Sequence, residues 1–321
     1  MDDRDTPPRS FDVAGYAAAA FALTVLAAQN SLAKWAVDHG LTAPDLVAIR
    51  FGIPGVVWLP LVVRRIIRGG RPAAVRVLTF AATAGVPYGL ILTSGYRYSN
   101  ASHGSVIVPS ATLTFGVLLS SLVVRQPLTR LTAASVVVAL VGMSLVSGIW
   151  WEASAGASSL PGDLLFALSG LVWAGHLAAV GYWKAPAREI VPAVMSGSVL
   201  YLPYYFATSD LPGRLLAGSG PPTHVLVWVT LFLAVLHSSI ALPLYAWATG
   251  RLTPMRISLL TPSVPLIGVT IAVLTLGERF ESHEVAGAAL VLLALALASR
   301  SKVRRADSPG DEAAPSASGG S

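Results

Sequence analysis

Val108-Pro109-Ser110-Ala111-Thr112-Leu113 recurs in this chain as Thr261-Pro262-Ser263-Val264-Pro265-Leu266, 153 residues further on. Each copy lies in a long apolar stretch, and each keeps a Pro-Ser pair where a helix interior ordinarily avoids proline. At the same offset Arg125 matches Glu278 and Ala134 matches Gly287, while a second alignment pairs Pro44 with Pro192. Each match alone is weak. Together they argue that a unit of roughly half the chain has been duplicated.

Composition says what solvent the unit is built for. Of 321 residues, 54% are hydrophobic and 12% charged, against about a quarter charged in an ordinary soluble domain. Helices of a soluble protein keep polar faces, and long stretches here have none. A bilayer core of about 30 Å takes about 20 residues of helix. Ten stretches meet that length: Gly15 to Ala36, Pro44 to Val63, Val75 to Gly95, Ala101 to Val124, Leu131 to Ile149, Asp163 to Trp183, Val191 to Thr208, His224 to Trp247, Pro254 to Leu276 and Glu284 to Ser299. The expected fold is an all-α membrane protein of ten transmembrane helices. Residues 1–12 form a disordered cytoplasmic N-terminus, 13–150 the first five-helix repeat, 151–300 the second, and 301–321 a Ser-, Gly-, Ala- and Pro-rich tail with too little apolar surface to order.

Five is odd, so tandem five-helix units must enter the membrane from opposite sides, and the loop charges agree. With the N-terminus inside, the outer segments hold only Lys34, Arg97, Arg214 and Arg279, and Arg50 lies within a span; every other one of the 22 basic residues falls in cytoplasmic segments. The positive-inside rule then puts both termini in the cytoplasm and the chain in the inner (plasma) membrane. Trp35, Trp150, Trp151 and Trp228 fall near the outer interface and Trp183 and Trp247 near the inner one, with Trp173 the exception at mid-span. Inverted repeats of this kind enclose a central cavity near the midplane, the usual place for a transported solute.

Several classes are disfavoured. The net charge of +6 is spread among the loops, which is topological work and not a nucleic-acid face. The absence of cysteine excludes disulfides and thiolate sites, and the histidines lack HExxH spacing. There is no GxxxxGK[ST] for a nucleotide and no GxSxG for a serine hydrolase. No metal and no cofactor is expected. The expected partners are a small-molecule solute and membrane lipids, with a homodimer left open.

Pro44 and Arg50 opening the second span, mid-helix Pro109 and Pro262, Gly142 in the fifth span, the Gly162-Asp163 start of the second repeat and Glu278 closing the ninth span are loose motifs. Taken with the ten-span layout, they give a chain that resembles the drug/metabolite transporter superfamily, specifically proteins with two EamA-type repeats, over about Gly15 to Ser299. The resemblance implies a basket of ten helices lined by the first, third, fourth, sixth, eighth and ninth spans, and export or exchange of metabolites such as amino acids. One departure is Arg125, where the family often has a glutamate matching Glu278.

No carboxylate lies at mid-span, since Asp45, Asp163 and Glu278 sit at helix ends, so a buried carboxylate relay is not expected and histidine is the better proton carrier. His176 lies one turn inward of Trp173 on the same helix face, a switchable hydrogen-bonding group beside a stacking surface. The alternative is a histidine that donates to a neighbouring backbone carbonyl and a tryptophan that packs the core. His237, followed by Ser238 and Ser239, is central in the eighth span. Asn30, beside Gln29, offers a donor and an acceptor without charge. Arg50, about 5 Å outward of the midplane, suits a solute carboxylate or, as the favoured alternative, a structural pairing with Asp45 or a backbone carbonyl. Tyr88 and Tyr245 are lesser candidates. Pro109 and Pro262, at matched positions, are hinge candidates for alternating access. The expected function is secondary transport of a small organic metabolite, such as an amino acid or an amphipathic or aromatic solute, with export the expected direction. The alternatives are a non-transporting receptor or lipid-handling scaffold and, less supported, an intramembrane enzyme.

Overall fold

Asp12 starts the first helix: its carboxylate accepts from the Gly15 N–H at 2.9 Å and opens α1 (Val13–Asp38). The same carboxylate takes Arg251 Nε at 2.8 Å, and that bond, with the Gly15 contact, holds Asp12 below its ordinary titration range. The structure, a computed structural model, describes residues 12–123, 129–150, 159–252, 256, 260 and 262–306. The expected repeat partner Arg125, outer Trp151 and most of the inner end of the ninth span lie outside the described residues.

Thr42 and Asp45 form a capping box with Pro44 in the first turn, and together they open α2 (Ala43–Ala84). At about 1.5 Å per residue its 42 residues run about 60 Å, twice an apolar core. The expected gap between Val63 and Val75 is helical on either side of Gly70, because the arginines and alanines of this stretch are good helix formers. The break is confined to Gly70, which alone leaves helical geometry (φ 58°, ψ −150°). A second break at Gly85 precedes α3 (Val86–Gly95), where Pro87 brings no N–H. A Cβ on Gly85 would lie 2.9 Å from the Val194 carbonyl oxygen, so the break is also a close crossing.

Then follow α4 (Ala101–Val123), α5 (Arg130–Val146), α6 (Leu160–Trp183), α7 (Ala187–Ser196), α8 (Ser198–Thr208), the short α9 (Leu211–Leu216) and α10 (Thr223–Thr230). The eighth span next widens into a π-helix over Leu231–Ala241 before α11 (Leu242–Arg251). Pro243 has no N–H for the turn before it, and the Leu242 N–H reaches back to the His237 carbonyl, an i→i+5 bond. The chain ends in α12 (Ser263–Leu276) and α13 (Ser282–Ala306).

Among the described residues, seven helical segments are long and apolar enough to cross a membrane, one of them the 53-residue Ala43–Gly95; Arg130–Val146 and Ser263–Leu276 are shorter apolar helices. Ile67, Leu122, Leu200 and Leu274 project outward, each at least 75% exposed, as lipid-facing side chains do.

The two repeats interleave. α5 packs on α13, α4 on α6, α2 on α7 and α1 on α12, each pairing a helix of one repeat with a helix of the other. In lipid no hydrophobic drive joins helices, so close packing of small residues has to do it. At the α5–α13 crossing a Cβ on Gly142 would lie 2.8 Å from the Gly287 carbonyl oxygen, and one on Gly287 would lie 2.6 Å from that of Gly142. Buried Ser135, Ala139, Val291 and Ala294 continue the stripe. Gly170 of α6 meets the Val108 carbonyl of α4 in the same way, at 2.8 Å. Where α2 meets α7, the Ser198 hydroxyl at the start of α8 donates to the Phe51 carbonyl at 2.8 Å. The fourth helix of one repeat meets the first helix of the other twice over, as α4 on α6 and as α12 on α1, a reciprocity that follows from duplication.

Candidate functional site

Six of the seven expected solute-contacting residues form one connected group between the repeats. Trp173 and His176 share a face of α6, their ring centroids 5.0 Å apart. Tyr88 of α3 also lies against Trp173, at 5.1 Å. The Arg50 charge of α2 acts on Tyr88, on Tyr96 just beyond α3, and on His237 of the π-helix. The Tyr96 hydroxyl donates to Asn30 Oδ1 at 2.7 Å, and Asn30 Nδ2 donates to Ser105 Oγ at 2.9 Å. The Ser105 hydroxyl spends its proton on the Ala101 carbonyl, at 3.0 Å. Asn30 thus joins α1, the end of α3 and α4 by neutral hydrogen bonds.

His176 is buried, but not as a donor to a backbone carbonyl. Its Nδ1 lies 3.1 Å from Thr83 Oγ1, and that hydroxyl already donates to the Thr79 carbonyl at 2.7 Å. With the one hydroxyl proton on the Thr79 carbonyl, Nδ1–H is the donor to Thr83, and Nε2 is the nitrogen left without this contact. Phe80 packs edge-on against the imidazole at 5.7 Å and fixes its plane. His237 is 2% exposed, with a long 3.5 Å approach to the hydroxyl of Ser238.

Arg50 departs from its favoured sequence reading. Its guanidinium sits over the Phe51 ring at 4.8 Å and does not pair with Asp45. Asp45 is engaged elsewhere, accepting from the Thr42 backbone at 2.8 Å and from the Tyr205 hydroxyl at 2.8 Å, with Arg214 at 3.6 Å. Arg50 is 7% exposed, and its Nε and Nη1 have no hydrogen-bond partner among the described residues.

Tyr245 is the seventh of the expected residues. It packs with Leu26, Phe232 and Leu236 against Ala22, Val25 and Ala241. Pro109 lies inside an uninterrupted α4, and Pro262 precedes the first turn of α12. A hollow of about 450 Å³ lies away from the site, against Leu59, Pro60, Val63, Arg64, Ile67 and Arg68 on α2. Its lining is mostly apolar, which suits a lipid chain better than a polar solute.

Polar residues outside the expected site cluster at the end of the bundle opposite the arginine-rich loops. His103, on the first turn of α4, has Nδ1 3.0 Å from Asp163 of α6 and Nε2 2.8 Å from Glu284 of α13. Ser99 and Ser159 also donate to Asp163, at 2.7 and 2.9 Å. Both imidazole nitrogens face carboxylate oxygens, so full pairing needs a proton on each nitrogen or one on a carboxyl group. Asp163 and Glu284 lie in the first turns of their helices, and packing buries their side chains to 4% and 12% exposure. Glu278 nearby accepts from the Ala101 and Ser102 backbone at 2.7 and 3.0 Å, capping α4 from the other repeat. A polar residue in the first turn of an apolar span was the available sequence signal.

A buried polar and aromatic line built from both repeats inside an apolar bundle is the layout of a membrane transporter, and comparison with known proteins agrees. The chain belongs to the EamA-like transporter family, whose model matches residues 13–148 and again 160–300. It is thus a multi-pass membrane protein of a solute-transporting family. One crystal structure, described only as that of a protein, covers 92% of this chain and 98% of its own with a TM-score of 0.54; at 19% identity it shows likeness of fold alone. No curated protein matches.

Proposed function

We propose that this protein is a secondary transporter that exports a small organic metabolite, an amino acid or an amphipathic or aromatic solute, by alternating access. The observation that carries this reading is the connected group of Asn30, Arg50, Tyr88, Trp173, His176 and His237, drawn from five helical segments of both repeats and embedded among apolar side chains. Intramembrane polar groups are costly and persist where a pathway uses them.

In this proposal the chain crosses the plasma membrane ten times, with Ala43–Gly95 crossing twice around Gly70, and the two repeats are inverted with both termini in the cytoplasm. The 53 residues of that segment and the arginines flanking Gly70 support the double crossing. Interleaved repeats support a rocking motion about the midplane group. The buried His103 cluster and the Glu278 cap tie the outer ends, while partly exposed pairs, Asp12–Arg251 at 2.8 Å and Arg65–Glu189 at 3.5 Å, tie the inner ends. Pro109 and Pro262 serve as the hinges, and substrate binds by stacking on Trp173 and Tyr88 within reach of His176, His237 and Asn30. With no nucleotide motif in the sequence, an ion or solute gradient drives the cycle.

Counterflow of amino acids and aromatic metabolites in proteoliposomes tests the proposal. Saturable exchange that disappears in Trp173→Ala supports it. Selective binding without exchange of any solute would instead favour a receptor or scaffold.

A further inference from the structure

Arg50 has no anion among the described residues. Its guanidinium is 7% exposed, sits over the Phe51 ring at 4.8 Å and lies within electrostatic reach of Tyr88, Tyr96 and His237. The nearest acid along its helix, Asp45, is committed to Thr42, Tyr205 and Arg214. Two of its nitrogens, Nε and Nη1, are buried without an acceptor among the described residues. A guanidinium does not shed its proton in a protein, so the charge stays. A buried charge whose donors are unclaimed destabilises the protein that contains it, and a ligand that supplies the counter-charge removes that penalty. Flat apolar surface lies alongside: Tyr88 is in electrostatic reach of Arg50 and packs tilted against Trp173 at 5.1 Å.

We propose that Arg50 is the anion-binding residue of the solute site and that the solute is a small carboxylate with a flat apolar body, its carboxylate on the guanidinium and its ring against the Tyr88–Trp173 pair. This rests on the transport site proposed above and narrows its substrate class, excluding cations and uncharged amphipaths. Arginine suits a carboxylate because its donors are fixed in a plane. The cation-repelling charge rejects amines by the same geometry that recruits acids.

The experiment is a thermal-shift titration of the full-length purified protein with phenylacetate and indole-3-acetate, their primary amides, and phenethylamine. Wild-type protein should bind at least one acid about tenfold or more tighter than its amide, with phenethylamine weakest. Arg50→Gln should reduce the acid-to-amide ratio to below about twofold, and without ligand it should melt no lower than wild type, because no structural partner is lost. Arg50→Lys, which keeps the charge, should retain a weaker preference for the acid. Equal binding of acids and amides by wild-type protein overturns the proposal. So does a preference that survives Arg50→Gln, and so does an Arg50→Gln variant that melts lower or fails to fold, since that means the charge has a structural partner. Acid-selective binding without exchange in proteoliposomes would refute transport and leave the Arg50 assignment standing; exchange without acid selectivity would do the reverse.

Discussion

Replacing His103 with alanine should destabilise the protein more than removing any solute-site side chain. The imidazole joins three helices from both repeats, with contacts of 3.0 Å to Asp163 and 2.8 Å to Glu284, and its own side chain is 3% exposed. Removing one partner of a buried ionic cluster costs about 3–5 kcal/mol, because charge is left behind without a counterpart. Asp163 would keep the Ser99 and Ser159 hydroxyls, and Glu284 would keep the Glu281 N–H at 2.7 Å. That compensation places the expected loss near the lower limit, about 3 kcal/mol. Reversible denaturant unfolding of the purified protein gives the number, and a double-mutant cycle with Glu284→Gln separates coupling from packing. The coupling should be at least about 1 kcal/mol. Glutamine at position 103 reaches one carboxylate and not both, so it should recover part of the loss. A loss below about 1 kcal/mol for His103→Ala would refute the claim that this cluster holds the outer ends together.

Glu278→Gln should cost about 1–2 kcal/mol, since the amide oxygen replaces a charged acceptor for two backbone N–H groups of α4; unchanged unfolding would show that the cap is dispensable. Gly287→Val puts bulk into the α5–α13 crossing, where even a Cβ lies 2.6 Å from a carbonyl oxygen, and should lower stability by about 3 kcal/mol or prevent folding. His176→Ala and Trp173→Ala should each abolish exchange while membrane insertion stays intact, and unchanged flux in both variants would exclude them from the site. Transport that changes between about pH 5 and 8 is expected if His176 or His237 carries the coupling proton, and a flat profile removes both from that role. Accessibility tags on the two termini should label from the cytoplasmic face together.

Hydropathy finds the helices because a bilayer-spanning segment must be apolar along its length, so α1, α4 and α6 begin and end within a few residues of their sequence bounds. It does not find Gly70 as the sole break in α2, because helix propensity carries the arginine-rich stretch across the expected gap. The shared face of Trp173 and His176 follows from helical spacing alone. Their neighbours Thr83 and Tyr88 are close only because α2, α3 and α6 pack together.

Sequence by itself determined that the chain is a duplicated membrane protein, since charge scarcity, span length and the repeated Pro-Ser segments are one-dimensional properties. The tertiary structure decided which polar groups are satisfied. Arg50 lost its expected partner because Asp45 turned to Tyr205 and Thr42, and His103 gained two carboxylates from helices 60 and 181 residues away. Hydrogen bonding depends on distances of about 3 Å, and only the interleaving of the two repeats sets those distances.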